Sequence, residues 1–459
     1  MNVKKMTVFG LFAMTGAVWA GGVPDVTNVT LAQDAITRTV TITYMLTNAP
    51  AVVTLDILTN GPAGWASIGG QHIDCFSEDS AVWKRVEDSE TETRKITWHP
   101  DLSWPDHKVA LTDGGVKAVV TAWALDDTPD YMVVDIAAAA KPNTQRYYPA
   151  VEFLPGGVLG NPAYRTTNLL MRKIKAKNVR YTMGSIAEVG RDATGEATHD
   201  ATLTNNFYIG VFELTQSQLA LISGLNGSTY RVDGAMRPAG GVSFNAFRCN
   251  TAKTGNGVAS AGGMWPNAPY AGSVLGLLNA RTGLDFDLPG EAQWEFACRA
   301  GQGEGRWNNG KPDLGAVNEE NLPGRYKNNG GYILKTNAEG KEELVAPPSA
   351  TTTSENGPAI VGSYDPNAWG LYDMHGNAWE LCVDWYEDDI RNLKGAVNVD
   401  PANPAKTLSG ATVVERVRRG GSYHVTRGDC RSARRWKADP TQQGAEMWGY
   451  RLTCRAGLK

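Results

Sequence analysis

The chain has 459 residues, of which 42% are hydrophobic and 20% are charged. This size allows two or three domains, and the composition is that of a globular protein with a sizeable core. The formal net charge of −4 excludes a strongly basic protein and gives no general reason to expect a nucleic acid as partner. The 51 glycines and 14 tryptophans indicate many tight turns and large aromatic anchors in a loop-rich fold.

The first residues, MNVKKMTVFGLFAMTGAVWA, are typical of a secretory signal peptide. Lys4 and Lys5 form the basic region, a short apolar core follows, and Val18 and Ala20 stand at the −3 and −1 positions of a cleavage site. We therefore expect a signal peptide over residues 1–20 and an exported chain, which is extracellular, displayed on the cell surface or periplasmic. This apolar core is too short for a comfortable membrane span, and no other run is long enough, so no span is expected after cleavage.

The cysteines are interpreted in the light of export. An even number of cysteines in an oxidising compartment permits disulfides, although the sequence does not choose among the pairings. No Cys-x-x-Cys pair or Cys/His cluster has the spacing of a zinc site, and the six histidines are scattered. The six cysteines are Cys75, Cys249, Cys298, Cys382, Cys430 and Cys454.

Residues 22–137 have the pattern of an all-β domain. In TVTITYML (39–46), Val40, Ile42, Tyr44 and Leu46 alternate with polar residues, as in a half-buried strand. Further strands are predicted at VTLDI, KAVVTAWA and YMVVDI, and turn signals such as Asn-Gly separate them. Short strands at this spacing favour a β-sandwich of immunoglobulin type. The Pro-, Gly- and Asn-containing residues 138–165 are predicted to be a linker.

From about residue 166 the pattern changes to a mixture of short elements and loops. FYIGVFEL (207–214) predicts a strand, and Thr215 with Gln218 predicts a capping box at the start of a short helix. A second short helix is expected after Gly290, with Gly301 as its stop signal. The remainder is mostly loop, so an ordered domain of this kind needs ions, disulfides or charge networks to hold it together.

Five stretches in this region, in this order and spacing, resemble the formylglycine-generating enzyme family, also called sulfatase-modifying factors. The resemblance covers about residues 166–456. It implies an α+β, loop-rich domain related to C-type lectins over residues 166–459, preceded by the all-β immunoglobulin-like sandwich. The stretches are FYIGVFELTQSQ (207–218), LPGEAQWEFACRAG (288–301), GLYDMHGNAWELCVDWY (370–386), RVRRGGSYHVTRGDCRSARR (416–435) and GYRLTCR (449–455).

The resemblance also implies structural calcium. The family holds one ion around a Gly-Asn-x-Trp-Glu segment, partly through main-chain oxygens, and a hard cation takes such ligands. The matching positions here are Asp373, Gly376, Ala378 and Glu380. The alternative is that Asp373 and Glu380 form only hydrogen bonds or ion pairs with nearby arginines. A second family site would use Asn321 and Leu322.

Active members of the family resemble one another in a Gly-Gly-Ser-aromatic turn followed by two cysteines, which bind copper and oxidise a substrate cysteine to formylglycine. In this chain Val425 stands at the first cysteine position and Cys430 at the second. The candidate catalytic residues that remain are Cys430, Ser422 and Trp379, where Trp379 matches a tryptophan of the family's oxygen pocket. Valine does not ligate metal, so a Cu⁺ site is not expected. The alternative for Cys430 is a structural position, with a disulfide to Cys249 or Cys454.

The C-terminal part is rich in arginine and tryptophan. We expect the arginines to pair internally with Asp384, Glu387, Asp388, Asp389 and Glu415 rather than with nucleic acid, because guanidinium groups brace loops by two-point contacts with carboxylates. A few, such as Arg427, are expected to face a binding cleft. The tryptophans expected to be core anchors are Trp307, Trp369, Trp385, Trp436 and Trp448.

The sequence therefore predicts an exported protein of the sulfatase-modifying-factor type that has lost copper-dependent oxidation and serves in binding or as a scaffold. Its expected partner is a peptide, protein or glycan outside the cytoplasm, and calcium is its expected cofactor. The alternative is an active copper- and O₂-dependent oxidase that converts a cysteine of a sulfatase, or of another exported protein, to formylglycine.

Overall fold

In the described residues the chain is mostly β-sheet with five short helices, which confirms the α+β class. The predicted signal peptide lies outside the described residues. None of the helices described is long and apolar enough to cross a bilayer. The computed structural model describes residues 22–87, 92–106, 114–137, 141–186, 188, 190–228, 234–250, 265–303, 324–330, 333–336, 341–345, 356–390, 415–442 and 447–456.

The N-terminal part is a sandwich of two antiparallel sheets. One has the strand order β1-β2-β6, and the other has the order β4-β3-β5 with β7 also paired to β3. Val40, Ile42, Tyr44 and Leu46 of β2 are all buried, which confirms the predicted alternation. The elements are β1 (Asp25–Gln33), β2 (Val40–Thr47), β3 (Ala51–Gly61), β4 (Gly64–Ser67), β5 (Lys84–Val86), β6 (Arg94–Trp98), α1 (Pro100–Ser103) and β7 (Val116–Trp123).

The C-terminal part contains a six-stranded sheet, a four-stranded sheet and two hairpins. Its elements are β8 (Tyr131–Asp135), β9 (Arg146–Tyr148), β10 (Asn168–Ile174), β11 (Val179–Met183), β12 (His199–Leu203), β13 (Phe207–Gly210), α2 (Gln216–Ser223), α3 (Phe244–Arg248), α4 (Val274–Thr282), β14 (Phe286–Asp287), α5 (Glu291–Arg299), β15 (Ile333–Thr336), β16 (Glu342–Val345), β17 (Trp379–Trp385), β18 (Arg416–Arg419), β19 (Arg435–Ala438), β20 (Trp448–Gly449) and β21 (Thr453–Arg455).

The strand at β8 lies in the C-terminal six-stranded sheet, although the sequence pattern groups it with the N-terminal sandwich. The sheet has the order β14-β21-β13-β10-β8-β9, and β8 pairs with β10 along its whole length. Strand β9 falls inside the segment predicted to be a linker. Tyr131 and Val133 of β8 also pack in one hydrophobic cluster with the sandwich residues Val40 and Leu55. The two parts thus share a core instead of being joined by a plain linker.

The two predicted helices form where their capping signals indicate. The Thr215 hydroxyl accepts a hydrogen bond from the Gln218 amide, and the Gln218 side chain accepts one from the Thr215 amide, so the capping box is confirmed. Helix α5 begins after Gly290 but ends one residue before the predicted glycine stop, because Ala300 adopts the left-handed conformation with φ 49°.

The four-stranded sheet, with the order β19-β18-β17-β20, positions the candidate site. Directly opposed residues in a sheet point to the same side, and successive residues point to opposite sides. Glu380, Arg419 and Arg435 therefore share one face, because Glu380 pairs with Arg419 and Arg419 with Arg435. Trp379 and Arg418 share the other face, since Trp379 lies two residues before Leu381, which pairs with Arg418.

Candidate functional site

The Gly-Gly-Ser turn that follows β18 is held in place by main-chain hydrogen bonds. Gly420 accepts one from the Gly376 amide at 2.7 Å, and the Tyr423 amide donates to Asn377 at 2.9 Å. Gly421 has φ 78°, and a Cβ at this position would lie 2.6 Å from the Cys430 Sγ atom. A side chain larger than hydrogen is therefore excluded where the turn crosses Cys430.

The Cys430 thiol is completely buried at the end of a short 3₁₀ turn, with no exposed surface. Its Sγ atom lies 3.6 Å from the Thr426 carbonyl oxygen, to which it donates a weak hydrogen bond. Burial raises the pKa of the Cys430 thiol well above its ordinary value, and the nearby Asp429 carboxylate raises it further. Since the thiolate is the form that binds metal and attacks, this environment favours an inert thiol.

Val425 packs on the small apolar cluster that Cys430 forms with Tyr326. It also packs on the large cluster that contains Trp379. The Val425 amide donates to the Ser422 carbonyl at 3.2 Å, and its carbonyl accepts from Lys327. The side chain at the family's first cysteine position is thus a hydrocarbon that packs on the cluster of Cys430, where a metal-binding pair would need its second sulfur. The donor set does not fit copper.

None of the six cysteines forms a disulfide in the structure, so the alternative of a disulfide from Cys430 to Cys249 or Cys454 is not supported. Cys430 sits in a small cluster with Tyr326, whereas Cys249 and Cys454 belong to the large hydrophobic cluster. The expectation came from the redox compartment alone, which fixes no distance between thiols.

Ser422 and Trp379 are both buried near this loop. The Ser422 Oγ atom accepts a hydrogen bond from the His424 amide at 3.3 Å. Trp379 is 2% exposed and forms part of the main core, as does Trp448. The structure brings Ser422, Val425 and Cys430 together in one loop. Trp379 belongs to the large hydrophobic cluster on which Val425 packs.

The predicted calcium turn is present, and Asp373, Gly376 and Asn377 all have positive φ. Both Glu380 oxygens accept hydrogen bonds from Arg451, at 2.7–3.0 Å, and Oε2 also accepts one from the Trp294 indole at 2.6 Å. For Glu380 the structure thus shows the ion pair with an arginine that was the alternative to calcium.

The carboxylate of Asp373 has fewer hydrogen bonds than that of Glu380. Its Oδ2 atom accepts a hydrogen bond from Gly362 at 2.6 Å, but its buried Oδ1 atom has no hydrogen-bond partner among the residues that the structure describes. Burial raises the pKa of Asp373 to about 6, and the neighbouring Glu380 carboxylate contributes to the rise.

Glu213 is a member of this acidic cluster that the sequence analysis missed. Its oxygens accept hydrogen bonds from the Ala378 amide at 2.9 Å and the Asn377 side chain at 2.5 Å. Burial, followed by the charges of Asp373 and Glu380, raises the pKa of Glu213 well above its ordinary value. The available signal was a lone carboxylate inside the apolar stretch FYIGVFEL.

A hard cation fits the turn in part. The cluster holds more carboxylates than arginines, and the unpaired Asp373 Oδ1 atom is an orphaned buried acceptor of the kind that a cation would satisfy. In the described residues no group of three or more His, Cys, Asp or Glu side chains could hold a metal, so main-chain oxygens would have to complete the shell. The second predicted site, Asn321 and Leu322, lies outside the described residues.

Five of the C-terminal arginines, Arg419, Arg431, Arg434, Arg435 and Arg451, pair internally with carboxylates, as expected, but their carboxylate partners are not the predicted ones. Arg419 contacts Glu295, Arg435 contacts Glu291 at 2.5 Å, and Arg431 binds Glu188 and Glu196. Of the predicted acids, Glu415 instead pairs with Lys437 at 3.0 Å. The partners of Arg419, Arg431 and Arg435 lie on α5 and in the loop before β12, more than 120 residues from the arginines they hold.

The remaining sequence predictions for this region have different outcomes. Trp385 and Trp448 are buried anchors, whereas Trp436 is 42% exposed, so its prediction as a core anchor was wrong. Arg427 is half-buried in the 3₁₀ turn that carries Cys430. Trp307 lies outside the described residues.

Known proteins resemble this chain over limited segments. The formylglycine-generating enzyme of Thermomonospora curvata is 31% identical over 140 residues, which are 30% of this chain and 38% of that enzyme. The one of Streptomyces coelicolor is 34% identical over 140 residues, or 30% and 35% of the two chains. Serine/threonine-protein kinase pkn1 of Chlamydia pneumoniae is 40% identical over 98 residues, or 21% and 14%. The chain thus spans less than two fifths of the length of these curated relatives.

Two solved structures also resemble the chain. Treponema denticola variable protein 1 has a TM-score of 0.41 at 24% identity and covers 63% of this chain and 96% of its own. PvdO from Pseudomonas aeruginosa has a TM-score of 0.41 at 20% identity and covers 62% and 94%. The family model for the Sulfatase-modifying factor enzyme 1-like domain matches residues 165–456, which is more than half of the chain. The chain therefore belongs to the sulfatase-modifying factor family.

Proposed function

We propose that this chain is an exported, non-catalytic member of the sulfatase-modifying factor family that serves in binding or as a scaffold. Its ligand is a peptide, protein or glycan outside the cytoplasm. One observation carries the proposal: the thiol at the family's second cysteine position is fully buried, and the residue at the first position is a valine that packs on the apolar cluster of that thiol and Tyr326.

The chemistry of the missing pair supports this function. Copper(I) prefers soft thiolate ligands, and a near-linear site needs two of them close together. Cys430 is kept protonated by its apolar surroundings, and Val425 offers only methyl groups. The Ser422 hydroxyl and the Trp379 ring remain, but neither can take over the role of a second sulfur.

Buried ion pairs surround the loop. Arg419, Arg431 and Arg451 are buried, and each is held by at least one carboxylate. Breaking a buried pair by removing one partner is strongly destabilising, so these contacts hold the turn rigidly. A rigid frame with inert chemistry suits a binding surface, and function resides in such sites and not in the fold.

Calcium is part of the proposal. Asp373 and Glu380, together with the main-chain oxygens of Gly376 and Ala378, would hold the ion, and it would supply positive charge to a buried acidic cluster. We expect Ca²⁺ to raise the melting temperature of the wild-type chain and to have little effect on D373N. Equal effects of Ca²⁺ and Mg²⁺ on both chains would contradict a specific site.

The proposal is tested by an oxidation assay on the exported chain. The protein is incubated with copper, dioxygen, a reductant and a cysteine-containing sulfatase peptide, and the peptide is analysed by mass spectrometry. The Streptomyces coelicolor enzyme serves as the positive control. We expect no formylglycine from this chain, and oxidation of the peptide that is abolished in C430S would overturn the proposal. N-terminal sequencing of the same preparation tests cleavage after Ala20.

A further inference from the structure

One arginine on the four-stranded sheet lies among aromatic rings without a carboxylate to hold it. The Arg418 guanidinium carbon is 5.0 Å from the centre of the Trp379 ring and 5.1 Å from that of Trp448. Trp379 and Trp448 are directly opposed in the parallel pairing of β17 and β20, so both rings project from the same face as Arg418. A cation over indole faces is a stabilising arrangement, but it leaves the N–H donors unused.

Three donors in this group have no acceptor among the described residues. The Nε atom of Arg418 and the Nε1 atoms of Trp379 and Trp448 are all buried and make no hydrogen bond. Trp379 and Trp448 are almost completely buried, at 2% and 5% exposure. Buried polar groups are normally paired, and each one left unpaired costs free energy, so three in one place call for an acceptor from outside the chain.

The Nε atoms of Arg416, Arg419 and Arg434 are also unpaired, so what distinguishes Arg418 is that the rest of its guanidinium has no carboxylate or carbonyl partner among the described residues. On the opposite face, Arg419 and Arg435 contact the carboxylates of Glu295 and Glu291. Arg416 is also stacked on rings, but it donates to the Val383 carbonyl. The carboxylate of Glu415, which is close in sequence, is bound to Lys437. Burial lowers the pKa of Arg418 to about 10, and the charge of Glu415 offsets this only in part.

We propose that Arg418, Trp379 and Trp448 form a binding site for a carboxylate group. A carboxylate is flat and carries two acceptor oxygens, which match the planar guanidinium and the in-plane indole N–H groups. The ligand approaches from the side on which Arg418 is partly exposed, where the neighbouring Trp436 is also open to solvent. The carboxylate belongs either to a small acid or to an acidic side chain of a peptide.

This inference deepens the proposed binding function and rests on it, because the site lies on the strands beside the inert loop. It does not depend on the state of Cys430. If the protein oxidises the sulfatase peptide, the proposed function is wrong, but the carboxylate site is not affected. If the protein binds no carboxylate, the carboxylate site is wrong, but the result of the oxidation assay is not affected.

The test is isothermal titration of the full-length exported chain with four probes. These are sodium acetate, the peptide Ac-Gly-Glu-Gly-NH₂, the matched peptide Ac-Gly-Gln-Gly-NH₂ and sodium sulfate. We expect the glutamate peptide to bind at least about tenfold more tightly than the glutamine peptide, as for a hydrogen bond to a charged group. Binding of acetate as tight as that of the glutamate peptide identifies a small acid as the ligand, and weaker binding of acetate identifies a peptide side chain.

Three variants sharpen the test. R418M keeps the apolar stem and should lose carboxylate binding, and W448F keeps a ring without the N–H and should weaken it several-fold. R434M is the matched control, because Arg434 also stacks on a tryptophan but already has Asp429 and Glu196 as partners. Melting curves check that each variant is folded. If R418M is not folded, R418K, which keeps the charge, replaces it. Equal binding of both peptides, equal binding of sulfate, or binding unchanged in the folded Arg418 variant would each overturn the proposal.

Discussion

The Arg451 guanidinium binds both carboxylate oxygens of Glu380 in the centre of the C-terminal domain, with N–O distances of 2.7–3.0 Å. Both side chains have no exposed surface. Arg451 also donates to the Gly210, Val211 and Tyr372 carbonyl oxygens. One ion pair therefore joins the closing segment of the chain to the six-stranded sheet and to the turn that precedes β17.

The first prediction concerns this pair. Replacing Glu380 by glutamine leaves a buried guanidinium without its counter-charge, which should cost about 3–5 kcal/mol in the free energy of unfolding. Urea unfolding measures it. The control is D101N, because Arg38 and Asp101 form a pair at 2.9 Å with both side chains about half exposed, at 48% and 49%, and an exposed pair contributes about 0–1 kcal/mol. Similar losses in the two variants would contradict the buried pair's role.

The second prediction concerns the turn beside Cys430. G421A places a Cβ 2.6 Å from the Cys430 Sγ atom at a residue with φ 78°, so it should destabilise the fold by about 2 kcal/mol or more. G428A is the control in the same loop, because a Cβ there meets nothing closer than 3.8 Å. Thermal unfolding of both variants decides the matter. A G421A variant as stable as G428A would show that the turn does not cross Cys430 as described.

The third prediction restores the missing sulfur. Because Val425 packs on the small cluster of Cys430 and Tyr326, V425C should place a second thiol near Cys430 and create a Cu(I) site under reducing conditions. Competition with a chromophoric Cu(I) chelator should show binding by V425C but none by the wild type or by the V425A control. If V425C gains neither Cu(I) affinity nor, on oxidation, a disulfide between residues 425 and 430, the two positions are not adjacent.

The fourth prediction concerns alkaline pH. Burial raises the pKa of Cys298 to about 12 and that of Cys454 to about 12, whereas the unfolded thiols ionise near 8.5. The folded chain therefore holds more protons above that pH, so its free energy of unfolding should fall as pH rises, by about 1.4 kcal/mol in total between pH 7.5 and 9.5 for each such thiol. Urea unfolding at pH 7.5 and 9.5 measures the slope. C454A should fall less steeply, and a slope equal to that of the wild type would count against a shifted pKa at Cys454.

The sequence predicted best where structure depends on local chemistry. The alternation in β2 and the Thr215–Gln218 capping box depend on residues within one turn or strand, and both are confirmed. The family resemblance, carried by five short motifs, is confirmed by the family match over residues 165–456.

Long-range partners could not be predicted in the same way. The carboxylates that hold Arg419 and Arg431 lie 124 and 235 residues away, in segments with no local signal of pairing. Strand β8 is a short apolar run that follows the sandwich strands in sequence, and only its pairing with β10 assigns it to the other sheet. The exposure of Trp436 likewise depends on which parts of the chain pack over β19. The residue type alone does not determine it.

The measurement that tests the central claim most directly is thiol trapping of the native exported chain, with each cysteine followed by mass spectrometry with and without urea. The account predicts that Cys430 is reduced and unpaired, is not alkylated at pH 8 in the native chain, and is alkylated fully in urea, because its thiol is buried and its pKa is raised. A native Cys430 that reacts quickly and is protected by Cu(I) would contradict an inert loop.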